Sequence, residues 1–163
     1  MIYLDNSATT NPKPLSVISC ASFALKNFSY NSGRGGYKQS VNTSEKIYAV
    51  REKASALLGY DTQNIIFTQN CTTALNMAVK GLVKNGDHIL ISNLEHNAVS
   101  RPVDALAKRG IITYNIFEYD YDEDVLLHNI VSQIKPNTKL IVCTHASNVF
   151  GCAFPIKKIA EIA

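Results

Sequence analysis

No stretch of this chain approaches the roughly 18 consecutive apolar residues that a membrane-spanning helix needs, so a transmembrane helix is excluded and no membrane partner is expected. The four cysteines, Cys20, Cys71, Cys143 and Cys152, include no CxxC pair and no spacing typical of a zinc site or a small disulfide framework. A reducing compartment fits that usage. Met1 runs directly into Ile2-Tyr3-Leu4-Asp5, without the basic region and apolar stretch of a secretory signal, so a cytoplasmic protein is expected. There is no basic tract: 16 Lys and Arg stand against 13 Asp and Glu, a formal charge of +3, and nucleic acid is not expected as a partner. His88, His96, His128 and His145 are scattered, which disfavours a metal site. No GxGxxG follows a strand pattern, which disfavours a dinucleotide site; Gly33-Arg34-Gly35-Gly36 precedes a helix instead. What is present is ordinary globular material, 163 residues with 46% hydrophobic and 18% charged content, eight Gly and five Pro. That suffices to bury a sizeable core, and it excludes a disordered tail or a collagen-like fibre.

The first third reads as helices. Val17, Ile18, Ala21, Ala24, Leu25 and Phe28 recur at helical spacing after Pro14 and predict a helix over 14–27. Asn31-Ser32-Gly33-Arg34-Gly35-Gly36 predicts a loop. Thr43 and Ser44 are expected to cap a helix with Ile47, Val50, Ala54, Leu57 and Leu58 on one face, stopped by Gly59. From Asn64 onward, apolar runs at 65–68, 88–92, 111–117 and 139–144 read as strands, alternating with helical patterns over 72–84, 99–109 and 124–134. Strand, helix, strand predicts a parallel α/β sheet with right-handed crossovers. The acidic, Tyr-containing stretch 118–124 reads as a solvated connection. Pro155 opens a last helix through Ile156, Ile159 and Ile162, and its uncapped end at Ala163 suggests that the sequence is cut.

In an open parallel sheet, ligands bind beyond the carboxyl ends of the strands. Three polar turns fall there. Gln69-Asn70-Cys71-Thr72-Thr73 would open a helix, whose free first-turn amides and positive dipole end suit a phosphate; a plain N-cap is the competing reading. Asn93-Leu94-Glu95-His96-Asn97 offers an imidazole that can be a base, a ligand or a flat ring under a heteroaromatic cofactor. In His145-Ala146-Ser147-Asn148, the Asn148 amide can donate to a ligand oxygen while Gly151 permits close backbone approach; an Asn-stabilised turn explains it nearly as well. Three such turns on one sheet would face a common crevice.

Together these residues resemble the class V, fold-type I pyridoxal-phosphate enzymes, and within them the cysteine desulfurases and selenocysteine lyases. Tyr3-Leu4-Asp5-Asn6-Ser7-Ala8-Thr9-Thr10 is similar to the family's LDNAAT opening, and Asn31-Ser32-Gly33-Arg34-Gly35-Gly36-Tyr37 to its NPGRGGH segment, with Tyr37 in place of the histidine. The stretch 67–76 resembles FTxxxTxAxN, Glu95-His96-Asn97-Ala98 resembles the EHxA turn, and Ser147-Asn148-Val149-Phe150-Gly151 resembles SNxxG. The resemblance implies a three-layer αβα fold, with an N-terminal segment and helices over 1–63 and the first half of the pyridoxal-phosphate domain over 64–163. It implies that Cys71 and Thr72 hold the phosphate of pyridoxal 5'-phosphate, His96 stacks on its ring and Asn148 bonds its phenolic oxygen. Ser7, Ala8 and Arg34 would lie near an amino-acid substrate, Arg34 across a homodimer interface, and a sulfur-acceptor protein would be a further partner.

The same resemblance puts the family's pyridinium-binding Asp, Schiff-base Lys and sulfur-accepting Cys beyond Ala163, so no catalytic residue is expected in this segment and it should be inactive alone. Lys80, Lys84, Lys108, Lys135, Lys139, Lys157 and Lys158 read as exposed amines, Cys71 as a phosphate-loop residue and the other cysteines as packing. The family's strand order, taken as first, seventh, sixth, fourth, fifth, second, third, would let the second and third strands pair here and leave the first and fourth without neighbours. The segment is therefore not expected to be a self-sufficient domain. Two other functions stay open: a class V aminotransferase or epimerase, and a non-catalytic remnant binding a phosphorylated ligand or a partner protein.

Overall fold

Pro14 has no N–H to lose and a fixed φ, and directly after it the chain turns into helix α1, Leu15–Asn27. Helix α2, Lys38–Leu58, ends where Gly59 takes the left-handed conformation at φ +68°, the stop its glycine foretold. Its start differs from expectation: the helix is already formed at Lys38, five residues before Thr43. Thr43 and Ser44 do not cap it, because their hydroxyls donate to carbonyls instead, Thr43 Oγ1 to Gln39 O at 2.9 Å and Ser44 Oγ to Ser32 O at 2.9 Å. With Ser40 Oγ donating to Asn31 O at 2.7 Å, these bonds tether the glycine-rich loop to the helix. A 3-10 turn, Thr62–Asn64, follows. The expected strand over 65–68 does not form: the chain is extended there but has no partner, and Ile66 and Phe67 stay exposed. Apolar β-branched residues favour extended backbone, but a strand exists only where another strand supplies the ladder.

The computed structural model describes residues 2–163, and the chain forms two units, the first ending at Phe67 and the second starting at Thr68. The second unit carries the sheet. Helix α3, Cys71–Leu82, leads to strand β1, Asp87–Ser92, then helix α4, Asn97–Lys108, strand β2, Ile112–Phe117, helix α5, Glu123–Val131, strand β3, Thr138–Val142, and helix α6, Ile156–Ile162. Strand β1 lies between β2 and β3 and is parallel to both, with Ile89 opposite Tyr114 on one side and Leu140 on the other. This corrects the expected order, since the fourth apolar run of the sequence, β3, pairs directly with the second, β1, and is not left without a neighbour. Parallel strands are interchangeable in the sequence pattern; which of them meet is decided by where the crossover helices pack.

Alternation along β1 separates two apolar layers. Ile89 and Ile91 face Val79 of α3 and Val99, Val103 and Leu106 of α4. Leu90 faces Phe117, Leu126 and Ile130 of α5, Phe154, and Ile159 of α6. The result is the expected three-layer αβα arrangement. The acidic stretch read as a solvated connection over 118–124 is one only in part: α5 already starts at Glu123, Tyr119 packs edge-on to Phe154 in the core, and Asp122 uses its carboxylate as the cap of α5, accepting from Asp124 N at 3.0 Å. Lys158 of α6 pairs with Glu123 of α5 across that layer.

Candidate functional site

Because α3 precedes β1 and α4 follows it, and both run antiparallel to it in a parallel sheet, the N-termini of both helices lie at the carboxyl end of the strands. The turns after β1 and β3 reach the same edge. The structure brings three of the expected residues together there. His96 lines a hollow of about 240 Å³ with Glu95, Asn97, Thr144, Ser147 and Asn148. It also lines a hollow of about 370 Å³ with Thr72, Asn76 and Arg101. His96 thus borders both hollows, one shared with Asn148 and the other with Thr72.

At the start of α3, Asn70 is the cap, not a threonine: its Oδ1 accepts from Thr73 N at 2.8 Å. The amides of Cys71 and Thr72 have no protein partner among the described residues, and the positive end of the helix lies behind them. Cys71 is exposed at the first position of the helix. Lys80, two turns on, shares a third hollow with Thr72, Thr73 and Asn76. All seven lysines singled out in the sequence are exposed.

His96 caps α4. Its Nδ1 accepts from Ala98 N at 3.0 Å, so the remaining proton of the neutral ring is on Nε2. A single bond of this kind fixes both the tautomer and the orientation of the exposed ring. Asn148 sits in a turn built by Ser147, whose Oγ accepts from Phe150 N at 3.2 Å and whose carbonyl accepts from Gly151 N at 2.9 Å. Gly151 adopts φ +67°, which a side chain would strain. The Asn148 carboxamide makes no hydrogen bond among the described residues and is free to donate.

Ser7, Ala8 and Arg34 belong to the first unit and are exposed there, Arg34 in the loop that Ser40 and Ser44 tether. The sequence reading placed Glu95 in its turn but gave it no role. Its Oε1 accepts from Ser92 Oγ at 2.7 Å and from Thr144 N at 2.6 Å, a contact across 49 positions. Nothing in the spacing signals that pairing, because it depends on β1 and β3 being neighbours.

Among the cysteines, Cys20 was expected to pack, yet it is exposed on α1, a helix with no buried residue. Cys143, at the end of β3, is half-buried, and burial first and the Glu95 carboxylate second push its thiol up to about 11. Against the ordinary value of 9.0, that leaves about 100-fold less thiolate near neutral pH. Alkylation at pH 8 is expected to label Cys20 and Cys71 readily and Cys143 about 100-fold more slowly, with Cys143 labelling rising only as the pH approaches 11. Mass spectrometry of the alkylated peptides checks this; equal rates would show a thiol in water.

The two hollows that His96 borders lie at the carboxyl edge of a parallel α/β sheet. Comparisons with known proteins bear on the family and the fold. A probable cysteine desulfurase of Methanothermobacter thermautotrophicus is 31% identical over 163 residues, 99% of this chain and 40% of the relative. A cysteine desulfurase IscS of Clostridium botulinum is 32% identical over 166 residues, 99% of this chain and 41% of the relative. Among solved structures, the apo cysteine desulfurase of Thermococcus onnurineus NA1 matches with a TM-score of 0.86 at 27% identity, over 99% of this chain and 41% of that one. The chain thus spans about 40% of the length of the curated relatives it matches, and its three parallel strands with their helices match part of the pyridoxal-phosphate-dependent transferase fold. The family model for aminotransferase class V matches residues 2–163, and the chain belongs to that family.

Proposed function

We propose that this chain is the N-terminal part of a pyridoxal-phosphate-dependent cysteine desulfurase, which removes sulfur from cysteine and leaves alanine. The observation that supports this most is that His96 borders two hollows, one with Thr72 at a helix N-terminus and one with the unpaired carboxamide of Asn148. That donor set fits the cofactor. Two free amides, the Thr72 hydroxyl and a helix dipole suit a phosphate dianion. A ring fixed by its own cap bond suits stacking, and a free amide suits an anionic phenolic oxygen. Bound there, pyridoxal phosphate would supply the electron sink for charge developing at the α-carbon of an amino acid.

The chain's own residues do the holding. Cys71 and Thr72 anchor the phosphate, His96 covers one face of the ring and keeps water from it, and Asn148 fixes the ring's rotation. In this reading residues 64–163 are the first half of the cofactor domain and 1–63 the N-terminal segment, with Ser7, Ala8 and Arg34 contributing near the substrate, Arg34 from the second copy of a homodimer. The Schiff-base lysine, the pyridinium carboxylate and the sulfur-accepting cysteine would come from sequence past Ala163, and a sulfur-acceptor protein would follow. A cytoplasmic location goes with the same reading.

The test is the full-length gene product. It is expected to be yellow from lysine-bound pyridoxal phosphate, to bleach on adding cysteine and to yield alanine; a colourless protein that takes up no cofactor would overturn the assignment. His96→Ala in that protein is expected to weaken cofactor retention roughly tenfold, the size of one lost aromatic stack. Dialysis against buffer followed by absorbance measures it, and full retention would remove the stacking role.

A further inference from the structure

One carboxylate oxygen ties the two rims of the hollow beyond the β1–β3 ladder. Glu95 Oε1 accepts hydrogen bonds from the hydroxyl of Ser92, the last residue of β1 and only 2% exposed, and from the backbone N–H of Thr144, just past β3. His96 follows Glu95 directly. Asn148 follows Thr144 in a turn that is internally braced, by Thr144 Oγ1 donating to Ala146 O at 3.1 Å and Ser147 N to Cys152 O at 2.8 Å. Beyond the β1–β3 ladder, the side-chain link between the two turns runs through Glu95.

We propose that Glu95 is a positioning residue: by holding the turn after β1 to the turn after β3, its carboxylate oxygen sets the gap between His96 and Asn148 into which the cofactor ring fits. The proposal rests on the reading of this crevice as a pyridoxal-phosphate site. It makes reach and acceptor capacity the requirement, with charge secondary. One sp² oxygen has two lone pairs, and here both are used. A Gln side chain presents a carbonyl oxygen with the same two lone pairs at the same reach. An Asp keeps the charge but retracts the oxygen by about 1.5 Å, one carbon–carbon bond, which takes it out of range of one donor or the other.

The experiment uses the full-length protein and pyridoxal 5'-phosphate as probe, reading the dissociation constant by equilibrium dialysis and the absorbance maximum of the bound cofactor. Neither readout needs turnover. Glu95→Gln is expected to bind within about threefold of the parent, whereas Glu95→Asp and Glu95→Ala weaken binding about tenfold or more. The two weakened variants are also expected to shift the absorbance maximum, which a mere loss of thermal stability does not do. If Gln binds no better than Asp, whether both bind well or both poorly, spacing by an acceptor is not the role and the proposal is overturned. Should Glu95→Ala fail to fold, the contrast between Gln and Asp decides alone. His96→Ala separates this from the site itself. Weakened binding in that variant beside unaffected binding in Glu95→Asp sinks only the Glu95 role, while unaffected binding in His96→Ala sinks the reading of the site.

Discussion

Replacing His88 with Ala is expected to destabilise the second unit by about 3 kcal/mol, the scale of a core truncation that also orphans polar groups. His88 is completely buried and touches all three strands. Its Nδ1 lies 2.8 Å from Thr138 Oγ1 of β3, and its Nε2 lies 2.9 Å from Asn115 Oδ1 of β2. The neighbours fix the proton positions. Thr138 Oγ1 already accepts from Lys135 N at 2.7 Å and Asn115 Oδ1 from Lys135 Nζ at 2.8 Å. The Thr138 hydroxyl proton is then given to Nδ1, and Nε2–H goes to Asn115, so a neutral ring satisfies every partner. An alanine leaves a ring-sized void and the Thr138 hydroxyl without its acceptor. Urea unfolding should show a lower midpoint with an unchanged slope. A midpoint equal to the parent's would mean that the ring fills space that water or a shifted side chain serves as well.

A second large effect concerns the two units taken separately. In the isolated 163-residue chain, amides in the middle of β1 are expected to exchange with solvent at least about 1,000-fold more slowly than those of α1. Strand β1 is hydrogen-bonded on both edges and its side chains are buried from His88 to Ser92. Helix α1 has no buried residue; Val17, Ile18 and Leu25 are 52%, 50% and 74% exposed. A 13-residue helix without packing is marginal in water. In α2 the buried residues are Ser40 and Thr43, and the apolar Leu57 and Leu58 face solvent. Hydrogen exchange followed by mass spectrometry resolves the two regions. Equal protection would mean that the first unit supports itself, and the expectation that the segment needs further chain would fall for it.

Much of the sheet was legible because its evidence is local. Strand β1 was expected over 88–92 and is formed by Asp87–Ser92, and β2 by Ile112–Phe117 against an expected 111–117. An unbroken apolar run such as Ile89-Leu90-Ile91 has only one low-energy place, between two covered faces. The run Ile65-Ile66-Phe67-Thr68 is similarly apolar but has no partner strand, and it is not a strand. Thr43 and Ser44 illustrate a second limit: a hydroxyl that looks like a cap is equally suited to a carbonyl, and the one within reach takes it.

By itself, the order of residues determined the helices, the parallel sheet, the glycine stop at Gly59 and the polar identity of the turns carrying Thr72, His96 and Asn148, since each follows from side-chain period, backbone freedom or hydrogen-bonding type within a few positions. Only the tertiary structure decided that β3 lies against β1, and with it that His96 and Asn148 line one hollow and that Glu95 reaches Thr144. Pairing between segments some 50 positions apart is set by which apolar faces can be covered at once, and that is a property of the packed whole.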